Sequence, residues 1–133
     1  MKATVRLIPV MAMLLVLAAC AGHPHAESPK TSADQVFVGL ASYYGGEFSG
    51  QTTASGDKYN PSGYTAAHRS LPLGTRILVT NLENNLSVVV TVNDRGPQRG
   101  DRILDLSFAA ANELKMIAAG VVKVRVEVLN EQQ

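Results

Sequence analysis

The chain has 133 residues, in which 12 lysines and arginines face 11 aspartates and glutamates, and it contains one cysteine. This length predicts one domain, and a formal net charge of +1 gives no indication of nucleic-acid binding, so we expect no nucleic-acid partner. One cysteine allows no internal disulfide, and no pattern in the chain indicates a cofactor.

The first 19 residues have the pattern of a signal peptide. Lys2 and Arg6 give a positive start, and an apolar run over residues 7–17 follows. That run is too short to span a bilayer as a stable helix. The ending Leu17-Ala18-Ala19-Cys20 is similar to a bacterial lipobox, so we expect cleavage before Cys20 and acylation of its thiol. The alternative is a secretory signal in which Cys20 is incidental.

Residues 20–35 are expected to form a flexible tether that begins with the lipidated Cys20. This segment combines prolines with small polar residues and has no apolar period that would make it fold. His23 and His25 are possible metal ligands, but a third ligand is missing, so we expect no metal site. The acyl chains would anchor the protein in the bacterial envelope. By analogy with lipoprotein sorting, the non-acidic Ala21 favours the outer membrane, with the domain facing the periplasm.

Residues 36–133 are expected to form the folded domain. Runs of β-branched and aromatic residues predict strands at 36–44, 75–82 and 86–92, with a short extended segment at 64–67. Asn84-Asn85 would turn the second strand back onto the third, because asparagine tolerates a positive φ.

The end of the chain supplies one helix and one further strand. Ser107 is expected to cap a helix over residues 108–115. Valines alternate with charged residues over 122–128, which predicts a strand with one face in the core. Several short strands with one small helix are typical of a compact β-barrel.

The strongest candidate for chemistry lies in residues 88–107. A valine-rich strand ends there in Asn93-Asp94-Arg95-Gly96-Pro97, and Asp105 lies on the next apolar segment. Gly96 and Pro97 end the strand, which holds Asp94 at the edge of the core. Asp94 is therefore either a catalytic carboxylate or a turn-capping residue whose charge Arg95 balances.

Seven motifs along the chain, in order and with their spacing, resemble the RlpA-like lipoproteins. They are Gly39–Gly45, Thr53–Asp57, Thr65–His68, Leu71–Thr75, Val79–Asn81, Val92–Pro97 and Asp105–Ser107. The resemblance extends over residues 38–129 and implies a mainly β fold, a six-stranded double-psi β-barrel with one short α-helix. Many relatives continue into a C-terminal SPOR domain, and here we expect none. We also expect a monomer.

The resemblance implies a lytic transglycosylase that acts on peptidoglycan glycan strands stripped of their stem peptides. Such an enzyme breaks the MurNAc–GlcNAc bond and leaves 1,6-anhydro-MurNAc ends. Because the sugar's own O6 attacks, one carboxyl group can act first as the acid and then as the base. The alternative is a non-catalytic peptidoglycan-binding or expansin-like wall-loosening lipoprotein on the same barrel.

By position in the motifs, the resemblance gives Asp57, His68 and Asp94 as the catalytic candidates. Asp57 stands where many relatives have the longer glutamate, so it is either a catalytic acid of shorter reach or a residue that closes an Asx turn. His68 either orients a sugar or a carboxylate, or bridges two loops as a structural residue.

Five further residues are candidates for substrate binding: Asn93, Arg95, Asp105, Tyr44 and Tyr59. Tyrosine rings suit the faces of sugars, and the alternative for them is packing in the core. Asp105 is also a second candidate for the catalytic acid, because the MltA-like transglycosylases have an important acidic residue near this position.

Overall fold

A computed structural model describes residues 31–129, with side chains from residue 35 onward. The predicted signal peptide, Cys20 and most of the predicted tether lie outside the described residues. Within residues 31–129, none of the helices has the length and apolar character needed to cross a membrane.

The described residues form six strands and one α-helix. In chain order these are β1 (Thr31–Tyr43), β2 (Thr65–Ala67), β3 (Arg76–Asn81), β4 (Ser87–Asp94), β5 (Arg102–Leu106), α1 (Phe108–Glu113) and β6 (Val122–Leu129). The strands close into a barrel in the order β1-β5-β2-β4-β3-β6. Two pairs are parallel, β1 with β5 and β2 with β4, and the other four are antiparallel. The predicted six-stranded barrel with one short helix is confirmed.

The β3–β4 hairpin turns at the predicted asparagines. Asn85 has a φ of 62°, in the left-handed region that asparagine tolerates, and its N–H donates to the carbonyl oxygen of Asn81 over 2.7 Å. The side-chain amides of Asn81 and Asn84 each donate to the carbonyl oxygen of Leu114 at 3.0 Å. These two bonds tie the hairpin turn to the segment that follows α1.

The core is the interior of the barrel together with one face of α1. The valines at 122, 124, 126 and 128 are buried, while Lys123 between them is exposed, so the predicted alternation of β6 is confirmed. Ser107 caps α1 as predicted, because its Oγ accepts a hydrogen bond from the Ala110 N–H. The helix ends at Glu113, before the predicted residue 115, because Lys115 has a left-handed φ of 51°.

The first strand begins earlier than the sequence predicts. β1 starts at Thr31, inside the predicted tether, because Thr31 pairs with Leu129 of β6. The pairing is irregular between Thr31 and Val36 and becomes regular from Val36 onward. Cross-strand hydrogen bonding therefore extends this strand beyond the apolar pattern.

Candidate active site

Strand pairing brings two aspartates to the same end of the barrel. Ala67 of β2 pairs with Asp94 of β4 on one side and with Asp105 of β5 on the other. Two strand spacings, roughly 10 Å, therefore separate the backbones of the two aspartates. On the far side of β5, Ser42 of β1 pairs with Asp105. Four neighbouring strands thus contribute to one site.

An open cleft of about 460 Å³ lies over this end of the barrel. Its volume falls within the range of small-molecule sites. Three carboxylates and three guanidinium groups contribute to its lining: Glu47, Asp94, Asp105, Arg95, Arg99 and Arg102. The formal charges of these six groups balance. The carboxylates can exchange a proton, and the guanidinium groups can bind an anion.

Asp94 accepts hydrogen bonds on both of its carboxylate oxygens. Its Oδ1 accepts from the backbone N–H groups of Arg95 at 2.8 Å and Ala54 at 3.0 Å. Its Oδ2 accepts from the hydroxyl of Tyr44 at 3.1 Å. Asp94 therefore has one orientation in the cleft, fixed by donors from three segments of the chain.

Asp105 is held by a second network on the other side of Ala67. The hydroxyl of Ser42 donates to Asp105 Oδ1, and Arg102 Nη1 donates to Ser42 Oγ. Arg102 Nη1 also lies 4.0 Å from Asp105 Oδ1. Asp105 is thus paired with a cation, and its Oδ2 lies 3.8 Å from the position that a Cβ on Gly96 would occupy.

The side chain of Arg95 points away from the neighbouring carboxylate of Asp94. Its Nη1 donates to the carbonyl oxygen of Leu71 at 2.7 Å and to that of His68 at 3.2 Å. Arg95 lines the cleft while it also holds the loop that follows β2. It therefore does not form a side-chain ion pair with Asp94, although the turn-capping alternative expected Arg95 to balance the charge of Asp94.

The backbone of His68 is hydrogen-bonded to Asp94, whereas its ring accepts hydrogen bonds within the loop that follows β2. The His68 N–H donates to the carbonyl oxygen of Asp94 at 3.1 Å. The ring Nδ1 accepts from the N–H groups of Ser70 and Leu71 at 3.1 and 3.0 Å. The ring also packs against Phe37, with the ring centroids 5.4 Å apart. This geometry favours the structural alternative, in which His68 bridges chain segments.

Burial lowers the pKa of His68, and the nearby guanidinium groups of Arg95 and Arg69 lower it further. The unfolded chain binds the proton at a pKa near 6.5, so folding opposes protonation. We therefore expect the free energy of unfolding to be largest above this pH and to fall as pH drops through it towards the pKa of the folded state.

Urea unfolding at a series of pH values, from about 7.5 to about 5, measures this dependence, over a range centred on the ordinary pKa of histidine. The matched control is His68→Asn, whose side-chain oxygen can accept the same N–H groups but does not titrate. As the pH is lowered, the free energy of unfolding of the wild-type protein should fall more than that of the variant. Parallel curves would show that His68 has the same pKa in the folded and the unfolded state, which would contradict this prediction.

Asp57 and Asn93 do not line the cleft. Asp57 is exposed, and its Oδ2 accepts from the Ser55 hydroxyl at 3.1 Å. Its carbonyl oxygen accepts from the Thr53 N–H at 2.8 Å, while the Ser55 N–H donates to the carbonyl oxygen of Asn93 at 3.0 Å. These bonds shape the loop whose Ala54 N–H reaches Asp94. The structure thus links Asp57 to Asp94 through this loop.

Tyr44 and Tyr59 lie in contact but differ in exposure. Tyr44 lines the cleft, and its ring centroid is 5.2 Å from that of Tyr59. Tyr59 is only 5% exposed, and its hydroxyl accepts from the Phe108 N–H at 3.2 Å. The prediction that Tyr59 binds substrate does not fit this burial, because little of its ring is left to stack on a sugar.

Ser42 and Glu47 are site residues that sequence reasoning did not identify. Ser42 enters the site only because β1 pairs in parallel with β5, and no local pattern signals that pairing. Glu47 lies in a short 3₁₀ turn, Gly46–Phe48, between β1 and β2. Its carboxylate folds back over Gly45, towards the position that a Cβ there would occupy.

The family model described as "Lytic transglycolase" matches residues 36–126. The matched range includes β2 to β5 and α1 in full, most of β1 and β6, and both aspartates of the cleft. The chain belongs to this family. This match and the relatives described next confirm the resemblance to the RlpA-like family for the domain.

Curated relatives of this lytic transglycolase domain are about half identical to it. The endolytic peptidoglycan transglycosylase RlpA of Haemophilus influenzae is 53% identical over 92 residues, which are 69% of this chain and 32% of the relative. The protein of the same name from Pseudomonas aeruginosa is 52% identical over 96 residues, 72% of this chain and 28% of the relative. The chain thus spans about a third of the length of the curated relatives that it matches.

A solved structure supports the fold of this lytic transglycolase domain. The Streptomyces papain inhibitor superposes with a TM-score of 0.60 at 22% identity, over 76% of this chain and 100% of that one. At this identity the likeness concerns the fold alone. Because one fold can carry several activities, this likeness does not indicate which activity the barrel has.

Proposed function

We propose that this protein is a lytic transglycosylase that cleaves the MurNAc–GlcNAc bond of peptidoglycan. The observation on which the proposal rests is the fixed Asp94 carboxylate in an open cleft, with Asp105 across Ala67. An open cleft allows a long glycan strand to lie across it, as cleavage within a strand requires. The names of the relatives support the same substrate and reaction.

The reaction breaks the bond between C1 of MurNAc and the bridging oxygen. A carboxylic acid gives its proton to that oxygen as the C1–O bond breaks and an oxocarbenium-like centre develops. The O6 hydroxyl of the same MurNAc attacks C1, and its proton returns to the carboxylate. The product is a 1,6-anhydro ring, and no water is consumed. Asp94 is the proposed acid and base, with Asp105 as the second candidate.

Two inferences extend this proposal. One concerns the stem peptides of the substrate, and the other concerns the roles of Asp57 and His68. We infer that the strand is stripped of stem peptides, because the guanidinium groups of the cleft suit the free lactyl carboxylate of such MurNAc residues. Asp57 and His68 act through the loops that support Asp94, given their contacts. Arg95 holds one of these loops while it lines the cleft.

The direct test is incubation of the purified protein with amidase-treated peptidoglycan, followed by mass spectrometry. The proposal expects 1,6-anhydro ends that increase with time. Folded protein that sediments with the sacculi but releases no such ends would instead identify a binding module, the alternative for this barrel. Reducing ends without the anhydro ring would indicate a hydrolase.

We also propose that the protein is a lipoprotein of the outer membrane, acylated on Cys20, and that its barrel acts as a monomer. The support is the lipobox-like sequence before Cys20. Labelling of growing cells with an alkyne analogue of palmitate should mark the wild-type protein. The label should disappear in Cys20→Ser, because Cys20 is the only thiol in the chain. Persistent labelling of this variant would contradict acylation at Cys20.

A further inference from the structure

The hydrogen bonds of Asp94 distinguish its two carboxylate oxygens. A carboxylate oxygen has two lone pairs, and those of Oδ1 both accept, from Ala54 and Arg95 N–H groups. Oδ2 accepts from Tyr44 alone among the described residues, which leaves it one lone pair. Oδ2 is therefore the oxygen that can exchange a proton with a ligand in the cleft.

The Tyr44 hydroxyl thus lies on the oxygen that is free to react. Tyr44 follows β1, and its backbone N–H donates to the carbonyl oxygen of Leu106 at 2.9 Å. Its ring contacts Tyr59 and Phe48, with ring centroids 5.2 and 5.5 Å away. Tyr59 is in turn fixed by burial and by the Phe108 N–H. The position of the hydroxyl is therefore set by packing on the ring and by the backbone.

The surroundings also keep Tyr44 in the form that donates. Burial raises the pKa of Tyr44, and the charge of Asp94 and the hydrogen bond to it raise it further. The phenol therefore keeps its proton near neutral pH. A second tyrosine, Tyr64, also donates to a carboxylate, that of Glu113, at 3.1 Å. Tyr64 does not line the cleft, so it makes the same kind of bond away from the site.

We propose that Tyr44 is a positioning residue, whose hydroxyl holds Oδ2 of Asp94 so that its remaining lone pair faces the glycosidic oxygen. The proposal rests on the proposed transglycosylase function. It assigns to Tyr44 a role through Asp94, in contrast to the direct contact with a sugar that the sequence suggested. The ring alone cannot fill this role, since the hydroxyl makes the bond.

The test compares Tyr44→Phe with the matched control Tyr64→Phe in the release of 1,6-anhydro ends. Phenylalanine keeps the ring and its packing and removes only the hydroxyl. We expect kcat of Tyr44→Phe to fall by about tenfold to a hundredfold, the scale of a misplaced catalytic group, with KM unchanged. Tyr64→Phe should keep the wild-type values. A rise in KM at constant kcat would instead make Tyr44 a sugar-binding residue and would overturn the proposal.

A second measurement reports the hydrogen bond without any activity. In ¹H–¹⁵N spectra, Tyr44→Phe should shift the amide signals of Ala54 and Arg95, which bind the same carboxylate, whereas Tyr64→Phe should leave them unchanged. Unchanged amide signals of Ala54 and Arg95 in Tyr44→Phe would refute the bond itself.

The outcomes separate this proposal from the proposed function. If the wild-type protein releases anhydro ends and Tyr44→Phe does so equally fast, the positioning role is wrong while the function stands. If the wild-type protein releases none, the proposed function fails, and the positioning role of Tyr44 fails with it.

Discussion

Asp94→Asn should lower the release of 1,6-anhydro ends by about a hundredfold to ten-thousandfold, the contribution typical of a general acid or base. The amide cannot give or take the proton that the reaction requires. Its oxygen can still accept from the Ala54 and Arg95 N–H groups, and its NH₂ group can face the Tyr44 hydroxyl. The fold should therefore survive the change. Single-turnover product formation, followed by mass spectrometry, measures the loss.

Asp101→Asn is the matched control for this prediction. Asp101 is an exposed aspartate that pairs with Arg99 at 3.5 Å and does not line the cleft. This variant should keep wild-type activity. An inactive Asp94→Asn protein that has also lost its fold would favour the alternative reading of Asp94 as a turn residue. A folded and fully active variant would show that Asp94 is not the acid and would leave Asp105 as the candidate.

Leu104→Ala should lower the free energy of unfolding by about 2–5 kcal/mol, the range for truncating a buried leucine. Leu104 is fully buried in the middle of β5, where it pairs with Ala41 of β1. The barrel is small and closed, so the resulting cavity cannot collapse easily. A loss of this size is a large part of the stability of an ordinary domain, about 5–15 kcal/mol. Urea unfolding monitored by circular dichroism measures it.

Leu73→Ala provides the comparison for the core variant. Leu73 is 39% exposed in the turn before β3, so its truncation should change the stability by no more than about 0.5 kcal/mol. Equal losses in the two variants would contradict the assignment of Leu104 to the core. Because Asp105 follows Leu104 directly on β5, we also expect the core variant to lose activity before it unfolds.

The sequence by itself determined the local elements, because each depends on residues that are close in the chain. β-Branched runs specify β3 and β4, and the asparagines at 84 and 85 specify the turn between them. The alternation of valines over β6 specifies which face enters the core. The position of Asp94 at the end of a buried strand follows from the same local rules. The topology came from the resemblance of seven motifs, since no local rule gives a strand order.

Only the tertiary structure decided which side chains meet. Ser42, Tyr44 and Asp105 reach the cleft because β1 pairs with β5 and because β2 lies between β5 and β4. Arg95 turns to the carbonyl oxygens of the loop after β2, and Tyr59 is buried behind Tyr44. Periodicity gives the face on which a side chain lies, but not its partner. The partners of Asp94 come from distant segments, so their contacts exist only once the barrel has closed.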